Sequence, residues 1–240
     1  MQDFRATQPS NDVLRGIRKA LPLLLAVAAY GLVLGAQATA KQMTPAEVGM
    51  MTGLNFAGGS EFAAINLWAN PLPMAMIILV TLLINSRHIV MGASLVPYLQ
   101  HQPKRRVLPA LFFMTDESWA LSLANTTRNK RQHMAEPFSW SYYWGVCLPF
   151  YPVWVGASVA GSLIGPHLGN LTAYGFDIVF PAVFIVLLRG MWQGIPAARP
   201  WLASLVVAIA TYLLVPGAWY MLTGTIAGLA LAWYLAGETR

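Results

Sequence analysis

The sequence predicts an all-α polytopic membrane protein, a helical bundle with broken or re-entrant helices around a midplane polar cavity. Three observations carry this expectation. First, 57% of the 240 residues are hydrophobic and only 10% are charged, with a mean hydropathy of +0.54, whereas a soluble domain carries about 25% charged residues. Second, apolar segments recur along the chain with little polar sequence between them. Third, two of these segments are interrupted at mid-length by polar residues: GGSE in Asn55–Phe62 (NFAGGSEF) and TDES from Thr115. In hydrocarbon an unpaired backbone group costs several kcal/mol, so irregular backbone at membrane depth survives only where protein or water surrounds it.

The apolar segments span 20–40, 44–69, 72–96, 107–127, 138–162, 173–192, 200–215 and 218–236. At about 20 residues per crossing they allow up to eight spans. Residues 1–19 form a polar, basic lead-in ending in Arg15, Arg18 and Lys19, residues 20–236 a single transmembrane domain, and 237–240 a short tail. The run after Lys19 is long enough to span and lacks a small-residue cleavage site, so it reads as a first span and not as a signal peptide. Its basic flank sets the amino terminus in the cytoplasm.

Charge also constrains the topology. If every segment crossed fully, Lys104, Arg105 and Arg106 would fall outside, against the positive-inside rule. If 44–69 instead enters and returns on the outer side and 107–127 on the inner side, all the main basic clusters become cytoplasmic. These are the two segments with polar interruptions, and interrupted helices of this kind build midplane sites in many transporters. Glycine pairs at GxxxG spacing, Gly31/Gly35, Gly49/Gly53, Gly161/Gly165 and Gly224/Gly228, predict close helix packing within the chain. Trp140, Tyr142, Tyr143 and Trp144 read as an interfacial aromatic belt.

Four polar clusters lie within apolar segments: Asn55 with Gly58, Gly59, Ser60 and Glu61; Asn85 with Arg87 and His88; Thr115 with Asp116 and Glu117; and Asp177. A charge at the bilayer centre costs about 2.5–3.5 kcal/mol on the lenient scale. For five such residues, exposure to lipid would cost on the order of 15 kcal/mol, comparable to the net stability of a domain. They must face one another, water or the membrane edge. Gly58 and Gly59 read as a helix break lining a pocket, or else as packing points between helices. Arg87 is the expected cationic hub, with Glu61 and Asp116 as candidate partners; Arg87 and His88 could instead snorkel to the headgroups. Asp116 and Glu117 read as site residues or as a helix cap, and Asp177 as a site residue or an N-cap.

Other classes of function fare poorly. The net charge of +6 is explained by basic loops beside apolar runs, so no nucleic-acid partner is implied. With one cysteine, Cys147, and four scattered histidines, no metal centre is expected. Ser60 lacks both the flanking glycine pattern of a nucleophile elbow and an evident histidine base. Asp116 and Glu117 are adjacent, so a helix would aim them about 100° apart. There is no phosphate-cradling GxxxxGK[ST] and no sign of a cofactor, so the chain does not read as an enzyme.

The motifs NFAGGSEF (55–62), NSRH (85–88) followed by MGASL (91–95), TDESWAL (115–121) and GFDIVFPAVF (175–184), in this order, resemble the AzlC-like branched-chain amino acid permease family. The resemblance covers about residues 20–236. It departs from the family pattern at Glu61, where glutamine is common, and at Ser86, where an apolar residue is usual. The resemblance implies a secondary transporter in the bacterial cytoplasmic (inner) membrane that exports valine, leucine and isoleucine, with a small AzlD-like membrane subunit as partner. A proton or other coupling ion would drive it, carried by Glu61 or Asp116, since desolvation favours the neutral form of a carboxyl group. The Gly58–Gly59 helix terminus would hold the substrate carboxylate, Asp116 or Glu117 its ammonium, and Phe56, Phe62 or Phe180 its side chain. The alternative is a channel-like or scaffolding subunit whose partner carries the transport site.

Overall fold

The computed structural model describes residues 9–134, 136–167, 194–215 and 219–238, and these contain helices and turns but no strand. They fall into two compact units, the first drawn from Met1–Ala69 and Ile84–Leu171, the second from Asn70–Leu83 and Thr172–Arg240. Among the described residues, three helical stretches are long and apolar enough to cross a membrane: Asn11–Ala40, Met74–Leu99 and Trp140–His167. Ala198–Leu214 and Leu222–Leu235 are shorter apolar helices. The expected segment 173–192, and Asp177 with it, lies outside the described residues.

In the first unit, α1 (Pro9–Ala40) pairs with α8 (Trp140–Ile164) along most of its length. Glycine makes this pairing possible. A Cβ on Gly35 would overlap the Ser158 carbonyl oxygen, and one on Gly161 would overlap that of Leu32. Backbones this close gain dispersion contacts that larger residues would forbid. Gly49 and Gly53 of α2 (Pro45–Asn55) likewise face Val159 and Tyr151 of α8. In the second unit, α9 (Ile195–Leu214) and α10 (Trp219–Glu238) pair through Gly224 against Ala208 and Gly228 against Ser204. All four predicted small-residue pairs thus pack inside the chain.

Polar residues gather one end of the first unit. Ser139, the N-cap of α8, accepts from the Tyr142 N–H at 3.2 Å and donates to Asp12 Oδ2 at 2.7 Å. Arg15 pairs with Asp12 at 3.2 Å, donates to Asn125 Oδ1 at 3.1 Å, and its guanidinium lies 5.2 Å from the centre of the Tyr142 ring. Arg128 donates to the same Asn125 oxygen at 2.9 Å, so the start of α1, the end of α7 (Asp116–Arg131) and the start of α8 meet here. Lys130 over the Tyr98 ring, at 5.0 Å, brings the end of α5 (Arg87–Leu99) to the same place. From this basic end the chain runs inward along α6 (Lys104–Phe112) and returns along α7. Tyr142 and Tyr143 are buried, not set in an outward-facing belt. Tyr142 lies under Arg15, and the Tyr143 hydroxyl donates to the Ala110 carbonyl at 2.6 Å.

Local signals set the other boundaries. Thr44 caps α2 (Pro45–Asn55) in a reciprocal box with Glu47, with Pro45 in the first turn, which pairs two orphan donors and fixes the entry angle. Thr115 caps α7 through Ser118: the Thr115 N–H donates to Ser118 Oγ at 2.8 Å and the Ser118 N–H to Thr115 Oγ1 at 3.2 Å. Asp116 and Glu117 in the first turn of α7 and Arg128, Lys130 and Arg131 in the last both suit its dipole. Among the described residues, α3 (Gly58–Leu67), α4 (Met74–Asn85) and a 3-10 turn after α8 (Gly165–His167) complete the helices.

The glycine seam makes a prediction. Gly35→Ala should lower the thermal unfolding midpoint of the detergent-purified protein, with a cost of about 1–3 kcal/mol for overpacking. Gly156→Ala, on the same α8 but with nothing within 4 Å of the added carbon, should leave the midpoint unchanged or raise it through helix propensity, by up to about 1 kcal/mol. Equal midpoints for the two variants would remove the seam from the account of stability.

Candidate functional site

α2 ends at Asn55, Phe56 takes a left-handed conformation with φ 47°, and α3 begins at Gly58. The chain leaves helical geometry at Phe56 and Ala57, just before the glycine pair. Gly58 and Gly59 are the first two residues of α3, and Gly58 serves close approach: a Cβ there would lie 3.0 Å from the Trp154 indole.

Such a gap strands backbone groups, and side chains take up two of them. Helical pairing would join the Ala57 N–H to the Gly53 carbonyl. Instead, the Ala57 N–H donates to Glu61 Oε1 at 2.9 Å, and the Gly53 carbonyl accepts from the Tyr151 hydroxyl at 3.0 Å. Glu61, only 1% exposed, also accepts from Asn55 Nδ2 at 3.3 Å and, through Oε2, from Trp154 Nε1 at 2.9 Å. Three neutral donors therefore bond to this carboxylate, and among the described residues no guanidinium pairs with it. Ser60 Oγ accepts from Asn55 Nδ2 and donates to the Ala57 carbonyl, each at 2.9 Å.

The network continues away from α3. Asn85 Nδ2 donates to Asn55 Oδ1 at 3.1 Å, and His88 Nδ1 lies 3.2 Å from the Asn85 carbonyl. Two residues after Asn85, Arg87 pairs with Asp116 at 2.6 Å. Of the two carboxylates expected as partners of Arg87, Asp116 takes it. The pair is not sealed in: its side chains are 39% and 40% exposed. Yet Arg87 Nε, Asp116 Oδ1 and Asn85 Oδ1 are each shielded and have no hydrogen-bond partner. Unpaired shielded polar atoms are costly, and here two acceptors and a donor lie on one short stretch of network.

Aromatic rings bring the ends together. Phe56 touches Tyr151 at 5.1 Å, Phe112 at 6.2 Å and Phe113 at 6.4 Å between ring centres. The gap between α2 and α3 and the turn between α6 and α7 therefore meet at Tyr151, near the middle of α8. Phe56 and Phe62 are both buried, Phe56 in this ring cluster and Phe62 edge-on to Tyr30 at 6.2 Å. Thr115 is occupied in its cap, and Glu117 lies within electrostatic reach of Tyr30, whose shielded hydroxyl has no partner. Phe180 and Asp177 lie outside the described residues.

Trp154, Tyr151 and Tyr30 are absent from the sequence-level site. Each sits in an apolar run where its ring matches the pattern, and only its polar tip, which needs a partner when buried, marks it.

The Glu61 shell predicts a coupling. In Glu61→Gln one oxygen still serves Ala57 and Asn55, but the new NH2 meets the Trp154 N–H donor to donor, for a loss of about 1–3 kcal/mol. Trp154→Phe in the same chain removes the opposing donor. The double variant should therefore unfold at a higher temperature than the sum of the single shifts allows; strict additivity would mean that the indole does not bond to this carboxylate.

Residues 22–168 match the family described as AzlC protein. The chain is 26% identical over 178 residues to the branched-chain amino acid transport protein AzlC of Bacillus subtilis (strain 168), covering 74% of this chain and 67% of that protein. It is 25% identical over 192 residues to the inner membrane protein YgaZ of Escherichia coli (strain K12), covering 77% and 75%. It is 28% identical over 184 residues to an uncharacterized membrane protein of Archaeoglobus fulgidus, covering 75% and 76%. No solved structure matches. The family match takes in every site residue discussed above except those near 177, and the chain belongs to the AzlC family of membrane proteins.

Proposed function

We propose that this chain is the large subunit of a secondary transporter that exports branched-chain amino acids across the bacterial cytoplasmic membrane, coupled to protons and working with a small AzlD-like subunit. The substrate class is supported by the similarity to the branched-chain amino acid transport protein of Bacillus subtilis. Export and the partner come from the family resemblance. Residues 1–19 would be the cytoplasmic lead-in, 20–236 the transport domain and 237–240 its tail.

The observation that carries the reading is the Arg87–Asp116 pair with its unpartnered atoms. A zwitterionic amino acid needs a donor for its carboxylate and an acceptor for its ammonium. Arg87 carries the first, and Asp116 with Asn85 the second: a substrate would meet the half-exposed faces of the ion pair, and parting the pair would free the atoms now shielded without a partner. A half-exposed ion pair level with the middle of α8 would be expensive against lipid, which supports a water-accessible space there. α2–α3 and α6–α7 would then be interrupted segments flanking a midplane polar cavity, entered from opposite faces. Support comes from the return of α7 to the basic end and from the ring contacts at Tyr151.

In this scheme the substrate carboxylate goes to Arg87, because the first turn of α3 already has its own carboxylate in Glu61. Asn55, Ser60, Gly58 and Gly59 shape the wall behind it, and Asn85 and His88 hold the approach. The coupled proton is carried by one of the two acids, Glu61 or Asp116. A substrate carboxylate would take the place of Asp116 at Arg87, which exchanges one partner of the ion pair for another. Glu117, Thr115 and Asp177 would serve as further polar lining.

The test is flux in proteoliposomes. Gradient-driven, saturable valine transport is expected from the wild-type chain with its partner subunit, and Asp116→Asn should reduce it to background together with valine-driven proton movement. Wild-type rates in that variant would reduce Asp116 to a structural role. For the topology, Asn70→Cys and Gln102→Cys in a Cys147→Ser background should label from opposite faces, 70 outside and 102 inside; labelling from one face would end the two-sided arrangement.

A further inference from the structure

Between α5 and α6 lies a groove of about 460 Å3, with Gly92 and Val96 on one wall and Val107, Leu111 and Met114 on the other. Its size falls in the range of about 300–1,000 Å3 typical of small-molecule sites. Both walls begin at the ion pair: His88, which also lines the groove, directly follows Arg87, and Met114 precedes Asp116 by two residues. A Cβ on Gly92 would meet only Leu111 Cδ2, at 3.7 Å, an ordinary van der Waals distance, so Gly92 and Leu111 set the width of the groove where they face each other.

We infer that this groove holds the aliphatic side chain of the amino acid whose charged head engages Arg87 and Asp116. The inference rests on the transport reading and gives that site its selectivity element. The occupant follows from complementarity. Beside the groove, Arg87 Nε and Asp116 Oδ1 are shielded and unpartnered while the two residues face each other, so parting the pair frees a donor and an acceptor. The five wall residues named above carry no hydrogen-bonding side chain, and His88 and Gln100 are the polar members of the lining. A zwitterion with a branched hydrocarbon chain satisfies both halves. Phe56 and Phe62, the side-chain pocket expected from sequence, are already buried against other rings, so the groove replaces them. Selectivity for chain size then depends on Gly92 and Leu111, which face each other across it.

The experiment is competition against radiolabelled valine in counterflow by the full chain in proteoliposomes, with alanine, valine, leucine and phenylalanine as competitors. Gly92→Leu fills the groove and should raise the half-inhibitory concentration of leucine relative to that of alanine by at least about tenfold, the scale expected for steric discrimination in an apolar pocket. Leu111→Ala widens it and should shift preference the other way, so that phenylalanine competes better than it does against wild type. If both variants change all competitors by one factor, or change none, the groove faces lipid and the inference is overturned while transport stands. If the wild-type chain shows no saturable valine exchange, the transport reading fails and the groove assignment falls with it. Should Gly92→Leu not be recovered folded, the Leu111→Ala shift alone decides.

Discussion

A helix that stops inside a packed unit leaves backbone carbonyls and N–H groups without helical partners, and side chains of α3 and α8 meet part of that demand at Phe56 and Ala57. The freed N–H goes to Glu61 and the freed carbonyl to Tyr151. Each of these must itself be held. Glu61 is steadied by Trp154 and Asn55, and Tyr151 by the rings of Phe56 and Phe113. Because Trp154 and Tyr151 both belong to α8, the helix that packs on α1 also repairs the gap. The backbone pairing rule thus fixes which side chains surround the polar network before any substrate is considered.

The two acids of the network have different surroundings, and from that follow different roles. Glu61 is enclosed by neutral donors that hold it in one geometry. Asp116 heads α7, where the helix dipole favours an anion, and faces a guanidinium across a partly open space. Breaking a buried, fully bonded carboxylate costs stability, while exchanging the partner of a half-exposed ion pair costs little. A site that must release what it binds is better built on the second kind. Asn55 and Asn85 join the two, so the rigid part of the network sets the position of the adaptable part.

Much of this was legible in the sequence, and the remainder has identifiable causes. The long apolar runs correspond to α1, the α4–α5 stretch and α8, because hydrocarbon length is a one-dimensional property. GxxxG spacing gave the seams, since close backbone approach needs glycine whatever the partner. The Arg87–Asp116 pairing was among the alternatives that charge balance left open. What local pattern did not contain was the helix end at Phe56. A phenylalanine with positive φ runs against its own preference and is held there by rings from α6 and α8. Nor did it contain the Glu61–Trp154 bond, where a tryptophan in an apolar run is indistinguishable from core. Tyr142 and Tyr143 matched an interfacial belt by composition, but their hydroxyl and ring faces meet α6 and Arg15 instead.

The glycine contacts between α1 and α8 also limit how this protein can move. Where carbonyls of one helix sit in the notches of the other, as at Gly35 with Ser158 and Gly161 with Leu32, sliding either helix by part of a turn drives an oxygen into a Cα. The two behave as a single welded beam. Any rearrangement that opens the first unit to one face and then the other must leave that beam fixed and swing the shorter helices, α5 to α7, against it.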